Sequence, residues 1–302
     1  MTAWLSAEGV GIEFGGLKAL SNFNLEVGPG HLLGLIGPNG AGKTTAFNLL
    51  TGAYEPTSGQ VRVGGVRVNG KRPHQITQRG VARTFQNIRL FKELSVLDNV
   101  KVACLAGAPA AEKATGWAAL AREYAGWWRA FLRTRGHAEQ EANITELAER
   151  MLDLMGMLEH KTEVAKDLPY GKQRRLEIAR ALATRPKVLL LDEPAAGMNP
   201  SEKVELMGLI RDIRDRLSLG ILVIEHDMKL VMGICESITV LDHGETIAVG
   251  TPEHVRSDPK VIEAYLGDST AFAKHEHQAD SGSRSDSHGD PEAMPRSSEA
   301  DE

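Results

Sequence analysis

The sequence predicts an α/β fold, with a buried parallel sheet flanked by helices and joined to an antiparallel β portion. Three observations carry that prediction. HLLGLI (31–36) is a compact apolar run that delivers the chain into a glycine-rich loop and then a helical pattern. VLLLDE (188–193) and ILVIEH (221–226) are leucine-rich and β-branched runs separated by a helical segment, the texture of parallel strands buried on both faces. Residues 1–35 and GQVRVGGVRV (59–68) alternate apolar and polar positions around glycine-rich turns, which is the pattern of short antiparallel strands.

The elements follow in order. Turns are expected at Gly15–Gly16 and at GPG (28–30), a buried strand at 31–36, a helix from Lys43 to Leu50 and a hairpin over 59–68. From about 95 to 165 the texture becomes helical. Within it Trp117, Leu120, Tyr124, Trp127 and Phe131 recur at spacings of 3 and 4, one face of a helix. That face suits core packing, or, with Arg122, Arg129, Arg133 and Arg135 nearby, contact with a partner or a lipid surface. After Gly267 the chain has almost no large apolar residue and reads as a disordered acidic tail, 268–302.

Composition narrows the function classes. With 302 residues, 25% charged and 42% hydrophobic, the chain can bury a substantial core. No stretch approaches 18 uncharged apolar residues, so no membrane span is expected, and the N-terminus lacks the basic start and apolar core of a signal peptide. Cys104 and Cys235, the only cysteines, have neither metal nor redox spacing and are expected as buried thiols of a reducing compartment. The tail holds nine acidic and three basic groups, so the net charge of −5 leaves residues 1–267 near +1. A nearly neutral body argues against a nucleic-acid partner.

GPNGAGKT (37–44) satisfies the phosphate-loop pattern G-x-x-x-x-G-K-[ST] in full, between a strand and a helix. Gly37, Gly40 and Gly42 let the backbone turn, with Pro38 shaping it, so that N–H groups from Asn39, Gly40 and Ala41 on to Thr45 surround phosphate oxygens. The helix N-terminus adds a favourable dipole. Lys43 can reach the β- and γ-phosphates, and the Thr44 hydroxyl can ligate Mg²⁺. Asp192, at the tip of a buried strand, is placed for the Mg²⁺ shell. Glu193 is the candidate to orient or deprotonate attacking water, and His226, closing ILVIEH, can face the γ-phosphate. Gln86, in RTFQNIRLF, says little alone.

Together these residues resemble the ATP-binding subunit of ATP-binding cassette (ABC) transporters: phosphate loop, Gln86, a signature-like LPYGKQ (168–173), LLLDEP and a strand-end histidine, in that order. The resemblance runs from about residue 3 to 267. FGGLKAL (14–20), RTFQNIRLFKELSVLDNV (83–100), LDEPAAGMNP (191–200) and EAYLG (263–267) are similar to the LivG-type subunits of branched-chain amino acid importers. The resemblance implies a P-loop NTPase core of ABC type with an antiparallel β subdomain and an inserted helical subdomain, about 95–180, within a domain spanning 1–267. It implies ATP and Mg²⁺ as cofactors. It also implies Phe14 as the ring stacked on adenine, Gln86 as a sensor of Mg²⁺ and γ-phosphate linked to the membrane subunit, Glu193 as catalytic glutamate and His226 as switch histidine.

Its implied partners are a second, LivF-like cassette, two transmembrane permease subunits and, indirectly, a periplasmic or extracellular binding protein. The place is the cytoplasmic, inner face of the cell membrane. Pro169, Tyr170, Gly171, Lys172 and Gln173 are expected to face the partner cassette's ATP. The chain departs from the family at two places, the signature segment and residue 199. Pro169 stands where a serine usually donates its hydroxyl, a loss of roughly 1.5–3 kcal/mol for one charge-assisted hydrogen bond. Lys172 stands where the subgroup commonly has glutamine, and adds positive charge. Asn199 replaces a frequent aspartate, as in LivG-type variation. Amide or urea import is the nearest alternative. A DNA-repair ABC ATPase is disfavoured by the lack of long heptads and CxxC pairs, and a non-hydrolysing switch by Glu193.

Overall fold

The computed structural model describes residues 3–106 and 137–266. β1 (Leu5–Phe14) and β2 (Leu17–Val27) form a hairpin turning at Gly15 and Gly16, both at positive φ. β4 (Ser58–Val63) pairs with the other edge of β1, and β5 (Val66–Arg67) follows it through a second hairpin. The resulting order is β2-β1-β4-β5, antiparallel throughout, as the alternating pattern predicts.

The second sheet has the order β10-β9-β3-β8-β7-β6. Its parallel strands are β3 (Leu32–Ile36), β6 (Val81–Arg83), β7 (Val188–Asp192), β8 (Gly220–Ile224) and β9 (Ser237–Asp242); β10 (Glu245–Gly250) pairs antiparallel with β9. Successive side chains of a strand point to opposite faces. Leu35, Leu190, Leu222 and Ile224 accordingly enter a core shared with the antiparallel sheet and with α1 (Lys43–Leu50). Ile36, Leu189, Leu191, Ile221 and Val223 enter the core shared with the remaining helices. Both faces are covered, so these strands read as continuous apolar runs. Burying each such side chain contributes about 1.5–3 kcal/mol.

The helices outside α1 are α2 (Pro73–Thr77), α3 (Val96–Ala106), α4 (His137–Leu154), α5 (Tyr170–Ala183), α6 (Pro200–Leu217), α7 (Met228–Ile234), α8 (Pro252–Ser257) and α9 (Pro259–Leu266). α3, α4 and α5 pack together through Val96, Val100, Leu147, Met151, Met155 and Leu176. Among the described residues between 96 and 183 there is no strand longer than the isolated bridge Ser95–Val164. The aromatic face at 117–131 and the tail at 268–302 lie outside the described residues. Cys104 and Cys235 are buried free thiols, and desolvation pushes each pKa up to about 12. No helix among the described residues is long and apolar enough to cross a membrane.

Candidate active site

Because β3, β8, β7 and β6 are parallel neighbours, their carboxyl ends share one edge of the sheet, and the segments leaving them meet there. Those segments are the loop 37–42, Glu225–His226, Glu193 onward and Thr84–Gln86.

The loop is built on backbone that side chains would obstruct. Gly40 and Gly42 lie at φ 82° and 99°. At Gly37, φ 152°, a Cβ would fall 2.1 Å from the Leu241 carbonyl oxygen, so no other residue fits. Gly42 is the N-cap of α1 and leaves the first N–H groups of that helix facing the loop. Lys43 is buried, and its ammonium donates to the carbonyls of Gly37 at 2.7 Å and Pro38 at 2.8 Å. Ala41 N–H bonds back to the Pro38 carbonyl, and Gly244 N–H to the Ala41 carbonyl. A cleft of about 510 Å³ opens beside the loop, lined by Asn39–Thr45 together with Leu17, Lys18, Ala19, Gln86, Glu193, His243 and Gly244.

Glu193 stands on this cleft in the left-handed region, φ 45°, with its N–H bonded to the Ile224 carbonyl. That backbone costs a non-glycine residue roughly 1–2 kcal/mol. Gln86 Nε2 donates to Glu193 Oε2 at 3.2 Å, and His226 Nδ1 lies 3.6 Å from Oε1. The strand ends at Ile224, so His226 sits two residues past the end of β8 rather than on it. Between them Glu225 is buried; its Oε1 accepts the Ala195 N–H at 3.0 Å, and desolvation, opposed by that bond and by His226, raises its pKa.

Asp192 lies one residue deeper. Its N–H bonds to Thr84 Oγ1, and Arg83 Nη2 is 3.6 Å from Oδ2. Burial raises the Asp192 pKa, against the lowering pull of Arg83. The Thr44 hydroxyl, the Gln86 amide oxygen and one Asp192 carboxylate are hard oxygen donors, which suits Mg²⁺ completed by phosphate and water. Among the described residues there is no group of three or more His, Cys, Asp or Glu that could hold a metal ion.

The remaining expected residues fall around this centre. Phe14 is exposed rather than a strand-core residue, and meets Tyr54 edge-on at 5.4 Å. It is absent from the cleft lining, where Leu17 and Lys18 stand. Pro169 is the N-cap of α5 with no side-chain cap bond, as its missing hydroxyl requires. A Cβ on Gly171 would come within 3.1 Å of the Glu202 carboxylate, which closes a capping box with Asn199 at the head of α6. Tyr170 packs over Gly197. Lys172 does not project outward: its ammonium donates to His160 Nε2 at 2.7 Å, and His160 Nδ1 lies 2.6 Å from Glu163. Gln173 likewise turns back to the Leu168 carbonyl.

The sequence reading missed what holds these pieces together. Arg174, fully buried, donates to the Phe85 and Gln86 carbonyls and to Glu177, binding the Gln86 segment to α5. Beside that segment a groove of about 420 Å³ is walled by Arg83, Phe85, Arg89, Phe91, Val102 and Arg180.

A glycine-rich loop opening a helix beside two strand-end carboxylates, with α5 fastened to the Gln86 segment, is the layout of a nucleotide-hydrolysing ATP-binding cassette. The family model for the ABC transporter matches residues 20–196, and that for the branched-chain amino acid ATP-binding cassette transporter matches residues 245–271. The high-affinity branched-chain amino acid transport ATP-binding protein LivG of Escherichia coli (strain K12) is 45% identical over 87% of this chain and 98% of its own. The corresponding BraF of Pseudomonas aeruginosa is 44% identical, with the same coverage. The crystal structure of the ADP conformation of MJ1267, an ATP-binding cassette of an ABC transporter, superposes with a TM-score of 0.72 at 28% identity, over 88% of this chain and all of that one. The chain belongs to the ABC transporter family as an ATP-hydrolysing, LivG-type ATP-binding subunit.

Proposed function

We propose that this chain hydrolyses ATP to energise a membrane importer of branched-chain amino acids, working from the cytoplasmic face of the cell membrane. The observation that carries the cargo assignment is the 45% identity spanning 98% of LivG, extended by the match at residues 245–271. The observation that carries the chemistry is Glu193 held between Gln86 and His226 on the phosphate-loop cleft.

ATP places its phosphates against the N–H groups of residues 39–45, with Lys43 on the β- and γ-phosphates. Lys43 must exchange its loop carbonyls for phosphate oxygens to do so. Phe14, at the hairpin tip, covers the adenine. Thr44, Gln86 and Asp192 hold Mg²⁺, which neutralises charge on the phosphate oxygens when bound. Glu193 accepts the proton of the attacking water, and His226 donates to the γ-phosphate oxygens as charge develops.

The head of α5, from Pro169 to Gln173, lies over the γ-phosphate of a second, LivF-like cassette. Its backbone N–H groups supply most of that contact, because Pro169 has no hydroxyl and Lys172 and Gln173 bond within the subunit. Two unequal ATP sites follow. The groove walled by Phe85, Phe91 and Val102 receives a segment of one of two permease subunits, which a periplasmic or extracellular binding protein supplies with substrate.

Uptake of labelled leucine, isoleucine, valine and urea by cells with and without this chain tests the assignment. Loss of the three amino acids alone is the expected result. Loss of urea uptake alone would reassign the cargo, and unchanged uptake of all four would overturn the reading.

A further inference from the structure

Arg83 enters none of these steps, yet three parts of the molecule meet on it. It ends β6, and its Nη1 donates to Asn48 Oδ1 and Thr51 Oγ1, both at 3.0 Å, at the far end of the helix that the phosphate loop opens. Its Nη2 lies 3.6 Å from Asp192 Oδ2, with the two side chains 15% and 7% exposed. Its guanidinium stands 4.6 Å from the centroid of Phe85, and Arg89 covers the same ring at 4.0 Å. Arg83, Phe85 and Arg89 all wall the groove beside the Gln86 segment. A planar fork with five donors can serve such divergent partners at once, whereas an ammonium acts as a single point.

We propose that Arg83 is a positioning residue that orients Asp192 for its divalent cation and ties that orientation to the Phe85 wall of the groove. This rests on Asp192 being the metal-binding carboxylate of the proposed function. An occupant of the groove that shifts Phe85 and Arg89 moves the stack on which Arg83 leans. The fork then slackens at Asp192, and the grip on the cation changes without any contact between the occupant and the nucleotide.

The geometry separates orientation from bulk charge. A positive group near a cation site repels the cation, so if Arg83 were only a charge its removal would tighten Mg²⁺ binding. If it orients Asp192, its removal loosens Mg²⁺ binding.

The test measures ATP binding calorimetrically at stepped Mg²⁺ concentrations, using the full chain with Glu193→Gln to suppress turnover. Arg83→Gln is expected to raise the Mg²⁺ concentration for half-maximal enhancement about tenfold, one ordinary ion-pair step. Arg83→Lys, which keeps the charge, is expected to raise it by less, and both variants are expected to bind ATP without Mg²⁺ as the parent does. Phe85→Leu, which leaves Arg83 in place and removes its aromatic platform, is expected to raise it roughly threefold.

An unchanged or lowered Mg²⁺ requirement in Arg83→Gln would overturn the proposal. So would an equal loss of metal-free ATP binding, which marks general damage. An unchanged requirement in Phe85→Leu would overturn the link to the groove. Failure of the parent protein to bind ATP at all would instead overturn the underlying nucleotide reading.

Discussion

Gln86 and Glu193, 107 residues apart in sequence, meet through a 3.2 Å hydrogen bond from the glutamine amide to the carboxylate. The other carboxylate oxygen faces His226 at 3.6 Å. Glu193 is thus held from the two sides of the sheet edge, by the segment after β6 and the segment after β8. Releasing one side should misalign the base without emptying the phosphate loop. Gln86→Ala is expected to lower steady-state phosphate release about tenfold or more, the worth of one hydrogen bond to a charged group, with ATP affinity measured without Mg²⁺ little changed. Paired phosphate-release and ATP-titration measurements check this.

Arg174 is fully buried and has Glu177 as its charged partner at 2.7 Å. Removing one member of a buried pair leaves the other desolvated and uncompensated, at a cost of about 3–5 kcal/mol. Arg174→Met also frees the Phe85 and Gln86 carbonyls. Thermal unfolding is expected to fall by roughly 10 °C, and hydrogen exchange to rise first across residues 84–88.

Glu225 gives the pH dependence. Its folded pKa is raised, chiefly by desolvation, so in the window above the ordinary glutamate value the folded state binds the proton more tightly than the unfolded one. This group therefore lowers stability as pH rises from the ordinary value through the raised one. Glu225→Gln keeps an oxygen for the Ala195 N–H and removes the charge. The variant is expected to unfold at a higher temperature than the parent at neutral pH. That advantage should shrink as pH falls toward the ordinary glutamate range. Thermal scans across that range read it directly.

Much of this fold is written locally. GPNGAGKT, the runs ending in Asp192 and Ile224, the hairpin over 59–68 and the helix Lys43–Leu50 depend on neighbours in sequence, and each lies where its pattern places it. The fastenings are not local. Arg174 reaches Phe85 and Gln86 across 89 and 88 residues, and Arg83 reaches Asp192 between strands β6 and β7, which only the sheet order makes neighbours. No periodicity encodes such contacts. In LPYGKQRR (168–175) residue type alone does not say which cation turns inward: Arg174 is the buried one, and Lys172 is bonded to His160. Nor does any motif mark Tyr54, which meets Phe14 edge-on.

The central claim is that this cleft binds ATP and that Glu193 drives its hydrolysis. The direct measurement compares the parent chain with Glu193→Gln in the assembled transporter, reading ATP affinity and γ-phosphate release on the same preparation. The account expects affinity to be retained and release to fall by about 10²–10⁴-fold, the usual contribution of a positioned general base. Phosphate release at the parent rate in Glu193→Gln would contradict it.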